Sequence, residues 1–443
     1  MPWKTGFFDH NFRDRFPRGI RRVARAIVES LAPMDHGLET LCLTKKITNS
    51  RPVTYSQLPL QEWLDEYPLN LSLATLQQGR SFSWKKIIKS VLPPVFLPPV
   101  KWVWQKFKRL REIIGAPPSS DALEQTAAGK NARIALEELD AFVAFEPFDQ
   151  VWSLPLENYP CLALGWFFDA VPKRLNEGEN WNPEFFEAAV SRMALRARHI
   201  FCDSHSAEAD LCHFYPTALG KTSVIHLGHD LERFTQPRKQ ELFQKSLGRL
   251  GVRQDLPYFL FVGTVEPRKN VAGILKATQF LKRTRPDRPF QLVLAGQIPG
   301  QAELRQFIKQ TAQALPLVAT DYLPDQEITT LLQGAAGFVY PSLWEGFGIP
   351  NLEAMSAGTL VVTSDVGPMP EVCGEHALYC DPYDHREIAA QMLRCLEMPI
   401  EEKAKRISAA RAHAAGFTWK RCAGKMAATI CELLDNTRVK KPL

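Results

Sequence analysis

Two acids, Glu345 and Glu353, stand eight positions apart in the stretch PSLWEGFGIPNLEAMSAG, residues 341–358. Gly346, Phe347, Gly348, Ile349 and Pro350 follow the first acid. A carboxylate can accept two hydrogen bonds at once, which suits the neighbouring hydroxyls of a ribose or a hexose. Glycines let backbone N–H groups approach a bound group closely. Pro350 fits the first position of a helix and Gly358 its end, so Glu345 is expected on a loop and Glu353 in the first helical turn. The start of a helix carries partial positive charge that favours phosphate. Two carboxylates around such a loop suit a sugar nucleotide, one acid taking the ribose diol and the other the transferred sugar. A diphosphate also needs cations. EPRKN, residues 266–270, supplies Arg268 and Lys269 ahead of a helix that Asn270 can cap.

Taken singly, each feature has a plainer explanation. An acid in a first helical turn can merely complement the helix dipole, and an Arg–Lys pair in a loop is commonly just solvated. Their coincidence at matching strand ends carries the argument. Gly346 and Gly348 form G-x-G, but Asn351 takes the third glycine's place, so this is no dinucleotide fingerprint. No G-K-[ST] follows that would make a P-loop.

The elements that must position these residues are clearest in the second half. YFLFVG (258–263), FQLVLAG (290–296), GFVYPS (337–342) and TLVVTSD (359–365) read as buried strands. VAGILKATQFLK, AELRQFIKQTAQAL and DQEITTLLQGA have helical spacing. Strands alternating with helices imply a parallel sheet, and both motifs then lie at strand carboxyl ends, where open α/β sheets bind ligands. In the first half, GIRRVARAIVESLA (19–32) reads as an amphipathic helix. LDAFVAFE, PCLALGWFFD, HIFCDS and KTSVIHLGHD read as strands, and PEFFEAAVSRMALRA as a helix. Residues 231–256 are polar and lack strand character, so the boundary between two α/β halves is placed there.

The 443 residues allow two or three domains, and 45% hydrophobic with 23% charged residues fits a globular chain. Nine scattered cysteines without a C-x-x-C pair do not point to a zinc or disulfide framework and suit a reducing cytosol. The opening MPWKTGFFDHNFRDRFPRG has no apolar core of the signal-peptide kind. No apolar run reaches the roughly 20 residues needed to span a bilayer. Residues 81–111 hold eight Lys or Arg and no acid, more cations than the whole net charge of +6. Trp84, Trp102, Trp104 and Phe107 are interleaved with them. Two uses stay open: binding at an anionic membrane surface, or a proline-rich insertion packed on protein. The segment shows no recognisable nucleic-acid-binding motif.

PSLWEGFGIPNLEAMSAGTLVVTSDVGPMPEV resembles the E-x7-E signature of the retaining glycosyltransferases with the GT-B fold. FVGTVEPRKN is similar to that family's phosphate loop; DYLPDQEITTLLQGAAGFVYPS, HALYCDPYD and FTWKRCAGKMAATICELL also match its pattern. PRGIRRVARAIVESL is similar to the G-I-x-R-V helix start of members that build bacterial surface polysaccharides. FFDAVPKRL is similar to their H-D-x-x-P segment, with Phe168 where the relatives have histidine.

The resemblance implies an α/β GT-B fold of two Rossmann-like domains facing across a cleft. Residues 1–235 would bind the acceptor and contain an insertion at about 45–130. Residues 250–415 would bind the nucleotide-sugar, and a helix at 418–435 would cross back. Gly263, Thr264, Arg268, Lys269, Glu345, Gly346, Phe347, Gly348, Ile349 and Glu353 are the implied donor-binding set. Within it Glu345, Lys269 and Arg268 are catalytic, Glu353 takes the ribose hydroxyls and Glu345 the donor sugar. Gly19, Arg22 and Asp169 are implied on the acceptor side. No metal and no cofactor are expected beyond the co-substrate, GDP-mannose or a UDP-sugar. The partner is a glycan or lipid-linked acceptor and the location cytoplasmic, peripheral to the inner membrane face if residues 81–111 bind lipid. The expected reaction is hexosyl transfer, of mannose first, with retention and without metal. A phosphorylase-like use of the fold is the enzymatic alternative. A catalytically silent nucleotide-sugar-binding or scaffold member is the other, and Phe168 is the feature that favours it.

Overall fold

Continuous apolar runs rich in branched and aromatic residues form strands buried on both faces, which is the environment of a parallel sheet covered by helices. The computed structural model describes residues 3–8, 18–31, 38–46, 54–59 and 139–439, apart from 149, 154–155, 177–181 and 299–301. Their strands make two sheets. The first has seven: β1 (Trp3–Phe8), β2 (Leu38–Lys46), β3 (Thr54–Pro59), β4 (Ala141–Ala144), β5 (Leu162–Phe167), β6 (His199–Cys202) and β7 (Thr222–Val224), in the order β3-β2-β1-β4-β5-β6-β7. The second has six: β8 (Tyr258–Val262), β9 (Gln291–Ala295), β10 (Leu317–Thr320), β11 (Gly337–Tyr340), β12 (Val361–Ser364) and β13 (Leu378–Cys380), in the order β10-β9-β8-β11-β12-β13.

Both sheets run outward in one direction from their first strand and then restart on its other side, the doubly wound order. The restart leaves a crevice between β1 and β4 in one sheet and between β8 and β11 in the other. Leu260 pairs with both Val293 of β9 and Phe338 of β11, which places β8 at the centre of its sheet. Every pairing is parallel except β2 with β3, so the expected all-parallel arrangement is corrected at that edge. β3 also falls inside the stretch expected to be an insertion. β1, β2, β3, β10 and β13 were not anticipated. β10 is an edge strand, only half-buried along its length, and lacks the continuous apolar run that marked its neighbours.

Residues 231–256 carry two helices, Leu231–Thr235 and Gln240–Leu250. Phe234, Phe243 and Leu247 from these helices are buried in the larger apolar core. That core is continuous from Val23 and Ile27 of the helix Arg18–Leu31 to β8, β9, β11 and β12. A second core, around Trp152, Phe167 and Met193, fills the other face of the first sheet. The last helix, Trp419–Val439, packs against the helix Arg18–Leu31. Residues 81–111 lie outside the described residues. Among the described residues no helix is long and apolar enough to cross a membrane.

The chain enters the last helix under a close crossing. His229 N donates to Phe417 O at 3.3 Å. A Cβ at Gly228 would stand 2.2 Å from Trp419 N, a backbone atom that cannot turn aside. Gly228→Ala is therefore expected to push the last helix off its seat and cost about 1–3 kcal/mol. A chemical denaturation midpoint equal to that of the unaltered protein would refute this.

Candidate functional site

The loops after β8 and β11 leave the second sheet side by side, because those strands are hydrogen-bonded neighbours. Leu343 N donates to Arg268 O at 2.7 Å, so the loops are tied by backbone as well. Asn270 adds a third tie. Its backbone is left-handed at φ 55°, its Oδ1 accepts from Gly273 N and caps the helix Val271–Thr284, as anticipated. Its Nδ2 donates to Pro341 O at 3.1 Å and to Pro382 O at 2.6 Å. One side chain thus joins both motif loops to the 381–384 turn.

Within this frame Glu345 is almost fully buried and almost fully engaged. Arg268 Nη1 donates to Oε2 at 2.5 Å, while Tyr340 Oη and Ser342 Oγ donate to Oε1 at 2.8 and 3.1 Å. Burial alone would raise the carboxyl's pKa, but Arg268, Lys269 and the Tyr340 hydroxyl outweigh it and hold the group below its ordinary range. A carboxylate offers about four acceptor positions, and three are taken. Glu345 therefore has room for one further donor, a single hydroxyl rather than a diol.

Arg268 and Lys269 are not equivalent, although the sequence pairs them. Arg268 Nε also donates to Glu266 Oε2 at 2.8 Å, so two carboxylates grip one guanidinium. Burial pulls its pKa down, but Glu345 and its neighbours hold it above the ordinary value. The Lys269 ammonium makes no hydrogen bond or ion pair among the described residues, although its backbone N donates to Glu266 O at 3.1 Å. Burial lowers its pKa and Glu345 only partly restores it. Its Nζ lies over the Gly263 backbone, 2.7 Å from where a Cβ would stand, and Gly263 has a φ of 141° that favours glycine. Of the two cations, Lys269 is the one left with unsatisfied donors, over the backbone of Gly263.

The glycines of the other loop serve two purposes. Gly348, at φ 93°, is the N-cap of the helix Ile349–Ala357, and no side chain caps that end. The helix opens at Ile349 rather than Pro350, so Glu353 stands one residue further in than expected and is not a first-turn acid. Gly346 is demanded by the first sheet. A Cβ there would come within 2.3 Å of Phe168 O, and Ser204 Oγ donates to Gly346 O at 2.7 Å. Phe347 is turned away from the crevice, its ring among His226 and Phe417.

Of the residues expected on the acceptor side, Arg22 and Asp169 arrive at the same place. Gly19 is the second residue of the helix Arg18–Leu31. Arg22 Nη2 donates to Glu353 Oε1 at 2.6 Å, joining the first half of the chain to the acid expected to take a ribose. Asp169 Oδ1 accepts at 2.9 Å from the N of Val171, the first residue of the short helix Val171–Leu175. Burial raises its pKa against the pull of Arg268, and Glu345 adds to the rise. Phe168 stacks on Trp166 at 6.0 Å. Tyr340, Ser342, Glu266 and Ser204 were not anticipated. A tyrosine at a strand end and a serine three residues before an acid were available signals. The Ser204 contact spans 142 positions and leaves none.

Residues 243–413 match the family described as glycosyl transferases group 1. The O-antigen chain mannosyltransferase B of Escherichia coli is 39% identical over 168 residues, which is 37% of this chain and 43% of that protein. The match thus spans less than half of that relative's own length. Among solved structures, sucrose-phosphate synthase from Thermosynechococcus elongatus superposes with a TM-score of 0.66 at 16% identity, over 98% of this chain and 100% of that one. The Anabaena protein HepE, solved with UDP and glucose, gives 0.65 at 16% identity, over 97% and 100%. At that identity the likeness is one of fold, and the fold is GT-B.

Two expectations follow from the electrostatics. A carboxylate whose folded pKa is depressed stabilises the protein above its unfolded pKa, and that stability is lost as pH falls through the folded value. Glu345→Gln should cost about 2 kcal/mol near neutrality, the worth of hydrogen bonds to a charged group. The gap in melting temperature to the unaltered protein should close as pH falls through and below the ordinary carboxylate range; a gap constant with pH would contradict this. Lys269→Met removes an unpaired, partly buried cation, so its melting temperature at pH 7 should equal or exceed that of the unaltered protein. A drop would show that Lys269 has a stabilising partner.

Proposed function

We propose that this protein, whose residues 243–413 match the family described as glycosyl transferases group 1, is a glycosyltransferase. It moves a hexose, mannose first, from a nucleotide-sugar to a glycan or lipid-linked acceptor in polysaccharide assembly. The observation that carries this reading is the division of labour at the β8–β11 crevice. One carboxylate, Glu345, is fixed in its charged form with a single acceptor position left, and one cation, Lys269, has no partner among the described residues. A donor sugar hydroxyl fits the first and a diphosphate the second. The uncapped start of the helix Ile349–Ala357 favours the same anion. Glu353 takes the ribose hydroxyls, and the relatives' name supports mannose as the sugar. UDP-sugars remain the competing donors, in keeping with the UDP and glucose of the HepE structure.

The chemistry is transfer with retention and without a metal. As the bond to the sugar breaks, charge grows on the leaving phosphate. Lys269, with Arg268 steadying Glu345 beside it, stabilises that charge more than it stabilises the bound donor. The attacking hydroxyl approaches from the leaving group's side and gives its proton to the phosphate oxygen. The lipid-linked acceptor and a peripheral position on the inner face of the membrane belong to the same proposal.

GDP-mannose should raise the melting temperature of the full chain, as any ligand bound only by the native state does. GDP should be released faster with acceptor than without. Lys269→Met should lower the rate on the order of 100-fold, and the product should keep the donor's anomeric configuration by NMR. No thermal response to any nucleotide-sugar would overturn the proposal. Binding without turnover for any acceptor would favour the silent, scaffold reading that Phe168 suggests.

A further inference from the structure

Three side chains that are not among the residues assigned to the donor converge where the two sheets' loops meet. His205 opens the helix His205–Phe214 after β6, His226 follows β7, and Glu371 lies in the helix Met369–Cys373 after β12. One ligand atom from each lies within 4.8 Å of the others. His226 Nε2 is 2.6 Å from Glu371 Oε1, and both carboxylate oxygens accept from His205 N at 3.0 Å. We infer that His205, His226 and Glu371 form a binding site for a late first-row divalent cation, of which Zn²⁺ is the test ion, and that the cation ties the two sheets' loops together.

The donor set is the argument. Two imidazoles and one carboxylate suit zinc and its neighbours in the transition series, and suit magnesium or calcium poorly. The backbone bond from His205 N already aims Glu371 at the cluster. Glu208 stands 3.6 Å from His205 Nδ1 and is itself held by Thr222 Oγ1, so a carboxylate faces one ring nitrogen and leaves Nε2 for the cation. On binding, the hydrogen bond between His226 and Glu371 opens and His226 Nε2 presents its lone pair to the ion, the neutral ring carrying its proton on Nδ1. The site is no part of the transfer chemistry. It reaches it indirectly, because the His226 ring lies 5.9 Å from that of Phe347, in the loop between Glu345 and Glu353.

The test uses the full chain freed of metal. Zn²⁺ titrated by calorimetry should bind one ion per chain at this site and raise the melting temperature, and Co²⁺ should show the visible bands of a tetrahedral site. His205→Ala removes a side chain that is 71% exposed and leaves the backbone bond to Glu371 intact, so the variant should fold normally. It should bind Zn²⁺ at least about tenfold more weakly, since even the outer partners of a ligand are worth that much. Glu371→Gln should lose the thermal response as well. His376→Ala alters the other close histidine pair, His376 with His413, and should leave Zn²⁺ binding unchanged. Equal Zn²⁺ affinity in His205→Ala and the unaltered protein, or no binding by the unaltered protein, would overturn the inference. The readouts are binding and melting, so failure here leaves the transferase proposal untouched, and the reverse also holds.

Discussion

A buried carboxylate must be charged and paired, or neutral, and at Glu345 the protein enforces the first. Arg268 comes from one strand end, Tyr340 and Ser342 from the next, and all three donate to the same group. That requirement ties the β8 and β11 loops more tightly than chain connectivity does. It also decides which cation is free. Because Glu266 and Glu345 together hold Arg268, the unsatisfied positive charge is left on Lys269. Truncating one partner of such a set leaves the others buried without compensation, which is worse than never having had the pair.

The second constraint is the closeness of the two sheets. Phe168 O and Ser204 press on Gly346, and Trp344 Nε1 reaches Asp210 Oδ2 at 3.1 Å. His229 spans from Phe417 O to Ser356 Oγ. The glycine read as an opening for phosphate is therefore also a clearance for a neighbouring backbone, and a single residue type answers both demands. Arg22 on Glu353 belongs to the same seam. On the proposed reading a ribose reaching Glu353 meets a carboxylate with one oxygen already engaged, so donor binding and the contact between the halves draw on the same atoms.

Much of this was legible in the residues. The apolar runs of β8, β9, β11 and β12 read as strands because both their faces are buried, so nothing polar interrupts them. Asn270 as a cap and Gly358 as a terminator were legible because those roles depend only on local backbone geometry. The edge strands β3 and β10 were not, since a half-exposed strand carries mixed residues. The depth of Glu353 in its helix was misjudged by one residue because Gly348, left-handed, ends the loop and the helix begins at Ile349 rather than Pro350.

The sequence alone determined the chemical types at hand: two acids, two cations and a glycine loop at strand ends, and hence the class of ligand that could be held. Only the tertiary structure decided which of them are paired with one another. Arg268 is consumed by Glu345 and Glu266, Lys269 is spared, Arg22 faces Glu353, and two distant histidines meet Glu371. Those outcomes depend on distances between groups as many as 331 positions apart. Such distances are set by sheet order and by the docking of two layers of loops, and spacing along the chain encodes neither.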